Sequence, residues 1–198
     1  LDTAERLVNR AVPNLITLGR LLLVPMLAWL LLGERYVLAL AVFLGAALSD
    51  FADGAIARRY RIVSELGARL DPVADKLTML AATVLLALQG WLPAWLAVAI
   101  VLRDIVITAG AVAYRLSVGH VEMAPTPLSK INTALEFVVL AAALAHAAEL
   151  VDASDWLGPL FAMVFATVIL SGAQYVWVWG AKAAAQRGAG GGASGGGG

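Results

Sequence analysis

Four aspartates, Asp50, Asp53, Asp71 and Asp75, stand in one stretch, DFADGAIARRYRIVSELGARLDPVADK, between segments that are almost wholly apolar. An ionised carboxylate in low dielectric is costly unless it is solvated, paired with a cation or bound to a metal. Asp50, Asp53 and Ala57 are spaced i, i+3, i+7, and Gly67, Asp71 and Asp75 are spaced i, i+4, i+8. If both segments are helical, each sets two carboxylates on one face. Oxygen donors with no cysteine anywhere and no histidine nearby favour magnesium, manganese or calcium over zinc. Gly54, Ala57 and Gly67 are small enough to let a ligand approach the backbone, and Arg58 is placed to meet its phosphate.

The chain that must position these groups is an integral membrane protein by composition. Of its 198 residues 61% are hydrophobic and 14% charged, with a mean hydropathy of +0.84, too apolar for an ordinary soluble domain. Zero net charge argues against a nucleic-acid partner, and the lack of cysteine excludes disulfides and thiolate metal sites. The first apolar run follows mixed polar residues and is interrupted by Arg20, unlike a cleaved signal peptide.

The expected fold is all-α: six transmembrane helices preceded by an amphipathic helix over residues 1–12 lying along the membrane surface. The spans are expected at about 14–32, 36–57, 70–88, 94–114, 130–148 and 156–179. Pro13 and Asn14 open the first, Pro72 suits a first helical turn, Pro93 opens the fourth, and Gly119, Pro125 and Pro127 forbid one helix through the longest polar connection. Residues 1–187 form one domain; the Gly-rich stretch 188–198 is expected to be disordered. With six spans, every Lys and Arg except Arg35 falls on the side of the termini, which places the acidic cluster in the cytoplasm. Arg20 either snorkels to the headgroups or faces the site. Arg103 and Asp104, inside the fourth span, are either functional or mutually neutralising, and Lys130 at a helix start, against the dipole, hints at a bound anion.

The pattern DxxDGxxAR, eight residues, then GxxxDxxxD is met by Asp50, Asp53, Gly54, Ala57, Arg58, Gly67, Asp71 and Asp75. It resembles the signature of the CDP-alcohol phosphatidyltransferases, membrane enzymes that move a phosphatidyl or related group from a CDP-linked donor to an alcohol and release CMP. The resemblance implies that Asp50, Asp53, Asp71 and Asp75 bind two magnesium ions, with manganese as a substitute. It implies that Asp50, Gly54, Ala57, Arg58 and Gly67 meet the CDP moiety, that Asp75 is the general base, and that the protein is a homodimer in the lipid bilayer. LRDIVITAGAVAYR and PTPLSKINTALEF resemble the CMP-forming cardiolipin synthase branch, in which phosphatidylglycerol attacks CDP-diacylglycerol. NLITLGR and LDPVADK are similar also to phosphatidylglycerophosphate synthases, which use glycerol 3-phosphate. Arg103, Arg115 and Lys130 are the candidate ligands of either acceptor's phosphate. A bacterial inner membrane is the expected location, with a mitochondrial inner membrane as the other home of this branch. A membrane cation carrier is the reading from another class; it calls for acidic residues spread over several spans, whereas these gather at one face.

Overall fold

The structure, a computed structural model, describes Gly19 and residues 21–60, 65–118 and 126–191, with side chains described over 21–49, 73–112 and 126–178. The expected surface helix over 1–12 and the start of the first span lie outside the described residues. All regular structure among them is helical, in six segments: α1 (Leu21–Leu32), α2 (Tyr36–Tyr60), α3 (Glu65–Leu88), α4 (Ala94–Val118), α5 (Pro127–Ala147) and α6 (Ser154–Gly191). The last of these overlaps the start of the Gly-rich stretch, whose remainder lies outside the described residues.

Local signals end the helices at one side of the bundle. After α1 the Glu34 amide donates to the Leu31 carbonyl (3.0 Å) and the Arg35 amide to that of Leu30 (2.9 Å). Gly90 and Trp91 repeat this pairing after α3, onto Ala87 and Leu86, as do Glu149 and Leu150 after α5, onto His146 and Ala145. This is the Schellman arrangement, which satisfies the last free carbonyls and places one residue in the left-handed region. Gly90 (φ 84°) adopts it without strain; Glu34 (φ 55°) and Glu149 (φ 56°) carry a side chain there, at a cost of about 1–2 kcal/mol each.

The helices alternate in direction, with α6 packed on α4 and α5, α2 on α5, and α3 on α4 and α5. Leu27, Leu31, Phe43, Leu86, Leu96, Leu140, Leu144, Val164 and Val168 are buried between them, and Phe43 stacks on Phe137 at 4.9 Å. At the turn side Trp91 stands edge-on to Tyr36 (5.7 Å) and to His146 (5.8 Å), and Gln89 donates to the Leu31 carbonyl. Trp29, Leu48, Leu88 and Trp177 point outward, as side chains facing lipid do.

Among the described residues three helices are long and apolar enough to cross a membrane, over Ala94–Val112, Pro127–Ala147 and Ser154–Val178. The apolar runs Leu21–Leu32 and Tyr36–Ser49 are shorter among the described residues. Six were expected; the other three expected spans run into the start of the chain and the motif, outside the described side chains, so three is the number among the described residues alone. The molecule is thus an all-helical membrane protein.

Candidate active site

A cavity of about 690 Å³ opens between α2, α3 and α5. Its lining combines polar residues, Asp75, Thr78, Ser129, Lys130 and Thr133, with apolar ones, Phe43, Ala46, Ala47, Met79, Phe137 and Val138. The start of α5 supplies much of the polar lining. Pro127 suits the first helical turn, and the Thr126 hydroxyl oxygen caps it by accepting from the Ser129 amide (3.2 Å). That fixes the helix phase, so Ser129 and Thr133, one turn apart, both reach the cavity beside Lys130. Half-buried Asp75 joins the lining from α3, one turn before buried Thr78 is reached.

The motif behaves as its spacing requires at the level of backbone. α2 is helical through residues 50, 53, 54, 57 and 58, and α3 through 67, 71 and 75. Asp50 and Asp53 therefore occupy one helix face by register, and Asp71 and Asp75 another. Four carboxylates, two per helix, offer hard oxygen donors alone, which fits a divalent cation of the magnesium type. Of this cluster only the Asp75 side chain is described. The side chains of Asp50, Asp53, Gly54, Ala57, Arg58, Gly67, Asp71 and Arg115 lie outside the described ones, and no three metal-ligating groups meet among those that are described.

Behind the cavity runs a polar network that joins four helices. Arg103, 7% exposed on α4, donates to Asp104 (2.8 Å), to the Ser129 hydroxyl on α5 (2.8 Å) and to the Ser171 hydroxyl on α6 (3.0 Å). Asp104 also faces Lys76 of α3 (3.3 Å), the residue next to Asp75. Further along α5, Asn132 donates to the buried carboxylate of Glu136 and accepts from the Thr167 hydroxyl on α6 (2.9 Å). Arg103 and Asp104 are thus a pair, with both terminal guanidinium nitrogens committed to protein groups, Nε buried without a partner, and the side chain absent from the cavity wall. Lys130 stands on that wall with Asp75, and Lys76 balances a carboxylate on another helix.

Sequence reasoning missed Ser129, Ser171, Thr167 and Glu136. Glu136 was discoverable, because a lone carboxylate in an apolar run is a functional signal by default. The serines and threonine were not, since such residues occur in apolar helices with no partner implied.

Comparison with known proteins places these residues in context. The family model described as CDP-alcohol phosphatidyltransferase matches residues 10–179. The chain is 36% identical over 179 residues to a protein of Schizosaccharomyces pombe named as a fusion of cardiolipin synthase (CMP-forming) and a mitochondrial hydrolase, covering 82% of this chain and 30% of that protein. It is 35% identical over 150 residues to the cardiolipin synthase (CMP-forming) of Rattus norvegicus, covering 68% of this chain and 50% of that one. It is also 31% identical over 149 residues to the CDP-diacylglycerol–glycerol-3-phosphate 3-phosphatidyltransferase of Bacillus subtilis, covering 68% and 76%. The chain spans half or less of the length of the first two relatives.

Proposed function

The chain belongs to the CDP-alcohol phosphatidyltransferase family, whose members generally use divalent metal ions, and from this we propose that it is a CMP-forming cardiolipin synthase. It transfers the phosphatidyl group of CDP-diacylglycerol to phosphatidylglycerol. The observation that carries this reading is the cavity whose lining brings Asp75 and Lys130 together with apolar side chains of α2, α3 and α5. A lipid acceptor needs both kinds of lining, polar for its phosphate and apolar for its chains. The names of the yeast and rat relatives support the same branch. The Bacillus subtilis relative, three quarters of which the chain covers, favours glycerol 3-phosphate as the second reading.

In this reading the acceptor hydroxyl oxygen attacks the phosphatidyl phosphorus in line. The bond from that phosphorus to the bridging oxygen breaks, CMP leaves with the electron pair, and the hydroxyl proton passes to the Asp75 carboxylate. Asp50, Gly54, Ala57, Arg58 and Gly67 receive the CDP moiety, with Arg58 on its phosphates. Asp50, Asp53, Asp71 and Asp75 would hold two magnesium ions, or manganese in their place, which would supply neutralisation of the diphosphate. Lys130 attracts the acceptor phosphate into the cavity. Six helices cross the bilayer within a single domain over residues 1–187. The protein is a homodimer in a bacterial inner membrane, or its mitochondrial counterpart, with the site open to the cytoplasm. A cation carrier would also place carboxylates within spans, as Asp104 and Glu136 are placed, but both of these are tied to protein groups.

The test is CMP release by the purified chain with CDP-diacylglycerol and magnesium, offering phosphatidylglycerol or glycerol 3-phosphate and weighing the lipid product. Cardiolipin from phosphatidylglycerol, abolished by EDTA and restored by magnesium, is expected. Product from glycerol 3-phosphate alone overturns the choice of branch.

A further inference from the structure

Three hydroxyls among the described residues line the cavity, and their hydrogen bonds set them apart. Thr78 gives its proton to the Ala74 carbonyl (2.9 Å), and Thr133 gives its own to the Ser129 carbonyl (3.1 Å). Both can offer a cavity ligand only oxygen lone pairs, which an anion repels. Ser129 is the reverse case. Arg103 carries donors and no acceptor, so in the 2.8 Å contact the Ser129 oxygen must accept. A hydroxyl that accepts keeps its one proton for another partner, and a cation on its oxygen makes that proton a stronger donor. Ser129 stands on the cavity wall next to Lys130.

Arg103 itself is held in place from three directions. Asp104 fixes one end of the guanidinium, Ser171 on α6 takes a second bond, and the Arg103 side-chain stem lies 3.9 Å from where a Cβ on Gly172 would stand. Its burial and its absence from the cavity wall keep it from touching a ligand there.

We propose that the Ser129 hydroxyl donates to a phosphate oxygen of the acceptor bound beside Lys130, and that Arg103 is a positioning residue acting through Ser129 by fixing the direction of its proton. The proposal rests on the cavity being the acceptor's place, as the preceding reading has it. It assigns Arg103 a role behind the site in place of direct contact with the acceptor phosphate.

The test uses the full chain in detergent–lipid micelles with CDP-diacylglycerol and dihexanoyl phosphatidylglycerol, and glycerol 3-phosphate in a parallel arm. Ser129→Ala is expected to raise the acceptor KM about tenfold, the loss of one hydrogen bond to a charged group, with the CDP-diacylglycerol KM unchanged. Ser129→Thr, which keeps the hydroxyl, is expected to restore most of it. Arg103→Lys is expected to raise the acceptor KM in the Ser129 background and to add nothing on top of Ser129→Ala. Equal effects of Arg103→Lys in both backgrounds overturn the positioning role. An unchanged acceptor KM in Ser129→Ala, or a change in the donor KM alone, overturns the Ser129 assignment, and the Ala and Thr pair decides this even if Arg103→Lys does not fold. Should the parent protein release no CMP with either acceptor, the proposed reaction fails separately. The inference is then judged by the rise in Tm that dihexanoyl phosphatidylglycerol gives, which Ser129→Thr must keep and Ser129→Ala must lose; no rise in the parent, or equal rises in both variants, overturns it.

Discussion

The two sides of the helical bundle are held together by different physics. At the turn side, three short connections are closed by backbone hydrogen bonds between residues three to five apart, and Tyr36, Trp91 and His146 fill the space between them. At the motif side, cohesion comes from charged and hydroxyl side chains of α3, α4, α5 and α6 meeting one another from far apart in the chain. The first arrangement tolerates strain, as two glutamates in the left-handed region show. The second reaches a cavity through the Ser129 hydroxyl. Local closure gives rigidity at one side, and long-range polar closure gives a site at the other.

Changes on the motif side should therefore affect activity and stability most. Asp75→Asn is expected to lower CMP release by a factor of about a thousand, within the range for a lost general base, with little change in Tm. Turnover at the parent rate would remove Asp75 from the chemistry. Arg103→Met is expected to lower unfolding stability by about 3 kcal/mol, at the low end for breaking a buried pair because Lys76 still faces Asp104. Denaturant titration in detergent measures it, and a parent-like result would show that the network does not hold this side together. On the turn side the sign reverses: Glu34→Gly and Glu149→Gly are each expected to gain about 1 kcal/mol by relieving the left-handed backbone. A loss in either variant would mean that the glutamate side chain contributes more than its strain costs.

The smallest effect concerns Asp152, in the exposed turn before α6. The Ser154 hydroxyl and then the Ser154 amide donate to its carboxylate and hold its pKa below the ordinary value of 3.8. A depressed pKa contributes stability that is present above the unfolded value and is lost as pH falls from 3.8 through the folded one. Asp152→Ala should flatten that acid limb in a Tm-against-pH series and leave neutral pH nearly untouched. A parent-like acid limb in Asp152→Ala would assign the step to another carboxylate.

The same division explains what could be read from the residues alone. Pro93, Gly90 and Pro127 announce helix ends because their backbone preferences act locally, and α4 and α5 begin within a few residues of the expected positions. The motif spacing anticipated helical register at Asp50, Asp53, Asp71 and Asp75 for the same reason. Lys130 drew notice by opposing the helix dipole, and it does stand on the cavity wall. Arg103 was visible as a charge in hydrocarbon, yet its partners Ser129 and Ser171 were not. They lie 26 and 68 residues away and are brought to it only by packing. Three of the six expected spans stand as long apolar helices among the described residues, and the other three run into the start of the chain and the motif, outside the described side chains.

The three tight turns have a bearing on how the chain is assembled. Each joins two neighbouring helices into a hairpin whose own contacts are short-range, so α1–α2, α3–α4 and α5–α6 can each form early during synthesis. The cavity draws one wall from each hairpin: Phe43 from the first, Asp75 from the second, Ser129 and Lys130 from the third. A nascent chain that has not yet delivered α5 holds the acidic motif without the α5 side of the cavity, so the cavity is completed only when the last hairpin docks.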